Sequence, residues 1–142
     1  MGHTLGFEHT EQEVYKWLNE IKKIGKWDND AQAYAALRAV LRLLRDHLSI
    51  NVSAKLSAQL PLLIRGLFYE DWRPEDQAIH ERSRNEFMMH LSKILKDYHH
   101  SDVDPEQAAS AVLKTLSGKI DPYEVEKICA QLPKGIRETF FF

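Results

Sequence analysis

The sequence predicts an all-α fold in which two tandem four-helix repeats pack into one compact helical bundle. The segment Ala-Gln-Leu-Pro at 58–61 returns at 130–133, which is 72 residues later. Around it, residues 36–70 align without a gap with residues 108–142, and 13 of the 35 aligned pairs are identical. Apolar residues also recur at helical spacing in both halves. These observations indicate one helical module used twice.

The first two helices carry clear boundary signals. We expect helix 1 over about 10–24, because Thr10 and Glu13 have the spacing of a capping box. Gly25 is placed to cap its C-terminus. Helix 2 is expected over about 30–48, a segment rich in Ala, Leu and Arg, which favour helices.

A proline defines the corner between helices 3 and 4. Helix 3 is expected over about 52–60, because the ring of Pro61 disfavours a helical conformation at Leu60. The fixed φ of Pro61 then suits the first turn of helix 4. Ile64 and Phe68 follow at helical spacing and are expected in the core.

The second half repeats this order after a polar junction. Helix 5 aligns with helix 1 at an offset of 73 residues, and the later helices align at 72. We expect a single all-α domain over 1–142. Its parts are repeat one (about 11–70), a junction (about 70–82) and repeat two (about 83–142), with helices over about 83–98, 104–118 and 121–132 and another from 133.

Composition excludes several classes of protein. The formal net charge of the 142 residues is −2, so no global basic field attracts nucleic acid or anionic lipid. Cys129 is the only cysteine, so an intrachain disulfide is excluded. No apolar run approaches the ~20 residues that span a bilayer. We expect a cytoplasmic protein that binds no membrane, and nucleic acid is a less favoured partner.

Several segments of the sequence resemble those of a known family. The similarity is carried by Trp17-Leu18, by the runs at 33–41 and 44–48, by the Gln-Leu-Pro corner and by the Tyr-Glu-Asp-Trp segment at 69–72. Together they resemble the DUF2267 family, a domain of unknown function in small bacterial and archaeal proteins. The resemblance covers essentially the whole chain. It implies an all-α repeat domain and supplies no activity, cofactor or catalytic residue.

Arginines are the main candidates for ligand binding. Arg38, Arg42 and Arg45 lie at i, i+4 and i+7, so they form a basic stripe on helix 2. Such a stripe suits phosphates or an acidic partner, and the alternative is a solvated face with acidic neighbours. Arg65 and Arg137 follow the two corners at the same offset. Each is expected to donate to the last carbonyls of the preceding helix or, alternatively, to face a ligand.

A metal site is a weaker candidate. Glu86 and His90 lie at i, i+4 on helix 5, a spacing that holds a metal in some proteins. No His-Glu-x-x-His motif or paired cysteine accompanies them, so polar residues on a helix face are the favoured interpretation. Cys129 is expected to be a buried small side chain, because catalytic thiols need an activating base. We expect no cofactor.

Three functions are compatible with these residues. The favoured one is a non-enzymatic protein-interaction or structural module whose partner is another protein or a second copy of the chain, and enzymatic activity is not expected. The alternatives are a nucleic-acid or anionic-ligand binder using the arginine stripe, and a metal-dependent enzyme. Phe140 is expected in the core, whereas Phe141 and Phe142 are expected to fold back into a groove or to contact another chain. The sequence assigns no role to Gln59 and Gln131.

Overall fold

The computed structural model describes residues 6–75 and 78–141, without the side chains of residues 139 and 140. Within that part of the chain all regular structure is helical, which confirms the all-α class. The helices are α1 (Phe7–Gly25), α2 (Asp30–His47), α3 (Ile50–Ser57), α4 (Leu62–Tyr69), α5 (Arg84–Asp97), α6 (Pro105–Ser117), α7 (Pro122–Ala130) and α8 (Lys134–Ile136), followed by a π-helical turn (Arg137–Phe141).

The centre of the molecule is formed by α1, α2 and α6, which pack against one another. Helix α5 packs on α2 and α6, and α4 packs on α1 and α2. Ile21, Leu41, Phe87 and Leu113 bring fully buried side chains from four different helices into this core. Each such burial stabilises the fold by about 1.5–3 kcal/mol. The helices therefore depend on one another for their stability, because isolated helices of this length are marginal in water.

Most helices begin at a polar residue whose side chain accepts a hydrogen bond from the first turn. These capping residues satisfy backbone amides that lack partners within the helix. They are Asn29 for α2, Ser49 for α3, Ser83 for α5, Asp104 for α6 and Asp121 for α7.

The start of α1 differs from the expected capping box. The helix begins at Phe7, three residues before Thr10, and its N-cap is Gly6 with a φ of 74°. Glycine adopts this left-handed conformation without steric cost. The hydroxyl of Thr10 donates to the Gly6 carbonyl oxygen at 3.1 Å instead of capping the helix. The capping-box prediction was therefore wrong, because a glycine start is not visible in the hydrophobic pattern.

The end of α1 also differs from the prediction. Gly25 is the last helical residue, and Lys26 takes the left-handed cap conformation with a φ of 59°. Its amide closes on the Lys22 carbonyl oxygen. Gly25 is needed for a different reason, since a Cβ atom there would lie 2.4 Å from Cζ3 of the Trp27 ring. The glycine thus lets the tryptophan fold back over the helix end.

Two glutamines connect the repeated corners to opposite halves of the chain. Gln59 Oε1 accepts a hydrogen bond from the Asp121 amide at 2.7 Å. Gln131 Oε1 accepts one from the Ser49 amide, also at 2.7 Å. Asp121 and Ser49 are the N-caps of α7 and α3, and they align at the offset of 72 residues. Each glutamine therefore binds the start of the third helix of the other half, and α3 contacts α7.

Removal of these glutamines is expected to weaken the contact between the halves. Gln59→Ala should lower the free energy of unfolding by about 0.5–1.5 kcal/mol, because one hydrogen bond is lost. Gln131→Ala should lower it by up to about twice as much, because Gln131 Nε2 also donates to Ser49 Oγ at 3.3 Å. Urea denaturation measures the effect, and Gln12→Ala on the exposed face of α1 is the control. A loss no greater than that of the control would show that these bonds contribute nothing.

Candidate functional site

The arginine stripe is largely occupied by contacts within the chain. Arg38 Nε donates to Glu70 Oε1 at 2.7 Å, and its guanidinium lies 4.0 Å from the centre of the Tyr98 ring. The hydrogen bond to Glu70 raises the pKa of Arg38 above its usual value. Arg42 donates to the Tyr98 hydroxyl at 3.1 Å, and this bond likewise raises its pKa.

Arg45 is buried, with 3% of its surface exposed, so it does not belong to a solvated face. Its guanidinium donates twice to Asp46 Oδ1, at 2.8 and 3.0 Å. It also donates to the carbonyl oxygens of Phe68 and Glu70 at the end of α4. Arginine suits this position because its planar fork satisfies several acceptors at once. The sequence suggested that Arg45 is a ligand-binding group. In the structure its guanidinium instead holds the end of α4 against α2 through these hydrogen bonds.

A cleft of about 1110 Å³ lies between the C-terminal half of α2 and the segment that follows α4. Arg42, Arg73 and His80 line it together with acidic side chains. The acidic residues at the cleft are Asp46, Asp71 and Glu75. Because both signs of charge meet there, the cleft lacks the one-signed field that gathers a polyanion.

The arginine after the first corner takes the structural role that the sequence favoured. Arg65 Nε donates to the Ser57 carbonyl oxygen at 2.9 Å, and its Nη2 donates to the Leu60 carbonyl oxygen at 3.1 Å. These are carbonyls at the end of α3, which lack partners within the helix. Arg137, which follows the second corner, is half-buried at the start of the π-helical turn.

The structure does not bring Glu86 and His90 together as metal ligands. Ser83 caps α5, since the Glu86 amide donates to Ser83 Oγ at 3.1 Å, and Ser83 Oγ donates to the Glu86 carboxylate at 3.2 Å. His90 turns instead to Glu81, with its Nδ1 atom 3.5 Å from the carboxylate. Among the described residues, no group of three or more His, Cys, Asp or Glu side chains is arranged to hold a metal ion.

A buried histidine lies at a position to which the sequence pattern assigns no role. His47 is fully enclosed at the end of α2, and its Nδ1 atom lies 2.9 Å from the Leu43 carbonyl oxygen. Its Nε2 atom is 2.9 Å from Glu81 Oε1, although the two are not aligned as a hydrogen bond. Glu81 thus lies between His47 and His90 and links α2 to α5. Its position before Ser83 in a polar junction gave no sign of this tertiary contact.

An open groove of about 530 Å³ runs between α1, the start of α2 and α4. We call it the tyrosine groove. Tyr15, Tyr34 and Leu63 line it, with 54%, 40% and 48% of their surfaces exposed. The other lining residues are Glu11, Val14, Leu18, Asp30 and Ala31. Tyr34 of α2 and Leu63 of α4 are therefore only partly covered by their neighbours.

Phe141, near the C-terminus, folds back onto the chain. Phe141 is buried at the end of the π-helical turn, which packs on α6. Of the two alternatives for this residue, the structure therefore shows docking within one chain. The side chain of Phe140 and the whole of Phe142 lie outside the described residues.

Cys129 is expected to be chemically inert in the folded protein. The side chain is buried on α7, and burial raises the pKa of its thiol from the usual 9.0 to about 11. As the pH rises, the thiol of the unfolded chain loses its proton before the buried thiol does. The contribution of the neutral thiol to the free energy of unfolding is therefore fully present below pH 9 and is lost between pH 9 and 11. An aromatic disulfide reagent at pH 8 should label Cys129 slowly in buffer and rapidly in guanidinium. Equal labelling rates would contradict its burial.

These features define the molecule as a small all-helical protein with an open apolar groove on one face. Residues 14–139 match the family described as Uncharacterized conserved protein (DUF2267), so the chain belongs to that family. Comparison with the curated proteins finds no match. No helix in the described part of the chain is both long enough and apolar enough to cross a membrane.

Proposed function

We propose that this protein is a non-enzymatic protein-interaction module that binds its partner through the tyrosine groove. The observation that carries this proposal is the convergence of Tyr15, Tyr34 and Leu63 at one concave site while each remains substantially exposed. Large apolar side chains exposed together mark interaction sites. Tyrosine is enriched at such interfaces, since it gives a large contact area for little loss of conformational entropy.

The arginine stripe receives less support as a binding site for nucleic acid or an anionic ligand. Arg45 is buried and engaged with backbone carbonyls, and Arg38 is paired with Glu70. Arg42 remains at the cleft, where it faces carboxylates as well as other cations. We therefore rank this function below protein binding, and a metal-dependent activity at Glu86 and His90 below both.

The organisation and location of the protein are part of the same proposal. We place repeat one at about 11–70 and repeat two at about 83–142 within a single domain. The reciprocal bonds of Gln59 and Gln131 support this division, because they relate the two halves in the same way in both directions. A bacterial cytoplasm is the proposed setting, and the single buried Cys129 suits its reducing conditions.

Site-specific photocrosslinking in the native host tests the proposed function. A photoreactive phenylalanine analogue replaces Tyr34 in the groove or, as a control, Tyr123, which is exposed on α7. We expect a discrete crosslinked band from position 34 and none from position 123. The crosslinked polypeptide, identified and purified, should then bind the wild-type chain and lose affinity for Tyr34→Ala. Equal crosslinking at both positions, or none at position 34, would refute the proposal.

A further inference from the structure

We infer that the tyrosine groove accepts an amphipathic helix with basic flanking residues, and that the first half of the chain alone presents this groove in open form. The inference rests on the proposed function, because it names the chemistry of the partner at the same site.

The second half fills the equivalent positions with groups that contact one another. Arg84, Glu106 and Gly135 stand where the first half has residues 11, 34 and 63, by the offsets of 73 and 72. Arg84 forms an ion pair with Glu106. Its side chain also lies over Gly135, where a Cβ atom would be 3.0 Å from Arg84 Cβ. An arginine stem and an ion pair thus occupy the space that the first half leaves open.

Burial of the neighbouring positions differs in the same direction. Tyr15 is more than half exposed in α1, whereas Met88 at the aligned position in α5 is 7% exposed. Val14 is half-buried, whereas the aligned Phe87 is fully buried. The open groove is therefore not an unavoidable result of packing four helices in this way. It results from the particular residues of the first half.

The shape of the groove favours a helical partner. Its walls are helices, and its apolar lining is uncovered along one side, which is the arrangement in which an amphipathic helix places its apolar face. A pocket for a small molecule would instead enclose 70–90% of its ligand. The groove does not enclose a ligand to that extent, because Tyr15, Tyr34 and Leu63 in its lining keep 54%, 40% and 48% of their surfaces exposed.

The charges of the groove favour a basic partner. Both charged residues that line it, Glu11 and Asp30, are acidic. Asp30 Oδ1 is 2.8 Å from Lys22 Nζ, although the two groups are not aligned as a hydrogen bond, so Glu11 carries the more available charge. Two copies meeting groove to groove would bring four carboxylates together, and like charges across an interface cost several kcal/mol. A basic helix from another protein avoids this repulsion.

A pair of synthetic peptides tests the inference. Both are 18-residue peptides patterned to form an amphipathic helix on binding, with leucine at i, i+3, i+4 and i+7 positions, and the remaining positions are lysine in one peptide and glutamate in the other. We expect the lysine peptide to bind, with backbone amide shifts in NMR spectra confined to the lining of the groove. The glutamate peptide should bind about tenfold more weakly or worse, since 1.4 kcal/mol of charge complementarity changes affinity by that factor.

Matched variants separate specific binding from general attraction to an acidic protein. Glu11→Gln should weaken binding of the lysine peptide, whereas Glu126→Gln at an exposed position of α7 should leave it unchanged. Equal affinity for both peptides, or amide shifts spread outside the groove, would overturn the inference. If position 34 crosslinks to a partner that lacks a basic amphipathic helix, the proposed function stands and this inference fails. If position 34 crosslinks to nothing, the proposed function itself fails.

Discussion

Arg45→Ala is expected to be among the most destabilising single substitutions in the chain, with a loss of about 3–5 kcal/mol of folding free energy. The arginine is almost fully buried and joins the Asp46 carboxylate to the carbonyl oxygens of Phe68 and Glu70. Its removal leaves these acceptors without their donor and opens space between α2 and α4. A buried group that loses its partner carries the full desolvation penalty.

Urea denaturation followed by circular dichroism measures this loss. Arg73→Ala is the matched control, because Arg73 is exposed at the cleft and its removal should change the free energy of unfolding by no more than about 0.5 kcal/mol. Both variants remove one positive charge, so a difference between them reports the buried contacts of Arg45. If the two variants unfold at the same urea concentration, the contacts of Arg45 with the end of α4 do not stabilise the fold.

Phe68→Ala is the second substitution with a large expected effect. Phe68 is fully buried on the inner face of α4, and truncation of a buried phenylalanine typically costs about 3–5 kcal/mol. Leu62 lies on the outer face of the same helix with 65% of its surface exposed. Leu62→Ala should therefore change the free energy of unfolding by no more than about 0.5 kcal/mol.

The midpoint of thermal unfolding separates these two variants directly. Phe68→Ala should lower it by about 6–20 °C, because each of the expected 3–5 kcal/mol corresponds to roughly 2–4 °C in a domain of about this size. Leu63→Ala extends the comparison, since it removes part of the tyrosine groove without emptying the core. Similar melting of Phe68→Ala and the wild type would show that α4 does not bury this ring.

The helices and their inner faces were predictable because burial follows local periodicity. The Pro61 corner is an example, since a proline limits the conformation of its neighbours wherever the chain folds. Ile64 and Phe68 then fall on the buried face of α4, as expected. The start of α1 was not predictable in this way. There a left-handed Gly6 took the place of the expected Thr10 cap, and no spacing of apolar residues reveals that choice.

The candidate site was harder to predict because it depends on contacts between distant segments. Spacing alone placed Arg38, Arg42 and Arg45 on one face of α2, but it did not show that Arg45 is covered by the end of α4. The roles of Gln59 and Gln131 likewise appear only when α3 meets α7. The exposure of the apolar groove residues also depends on contacts between distant segments. A helical pattern shows which residues share a face, but it does not show how far the neighbouring helices cover that face.

One measurement tests the central claim that the first half holds an open docking groove. The double substitution Glu11→Arg with Tyr34→Glu copies the residue pair that fills the corresponding space in the second half. The variant should fold with an unchanged circular dichroism spectrum, because both positions are at the surface or the groove edge. Its affinity for the lysine peptide, measured by titration calorimetry, should fall at least tenfold. A folded variant that binds the peptide as tightly as the wild type would contradict the claim.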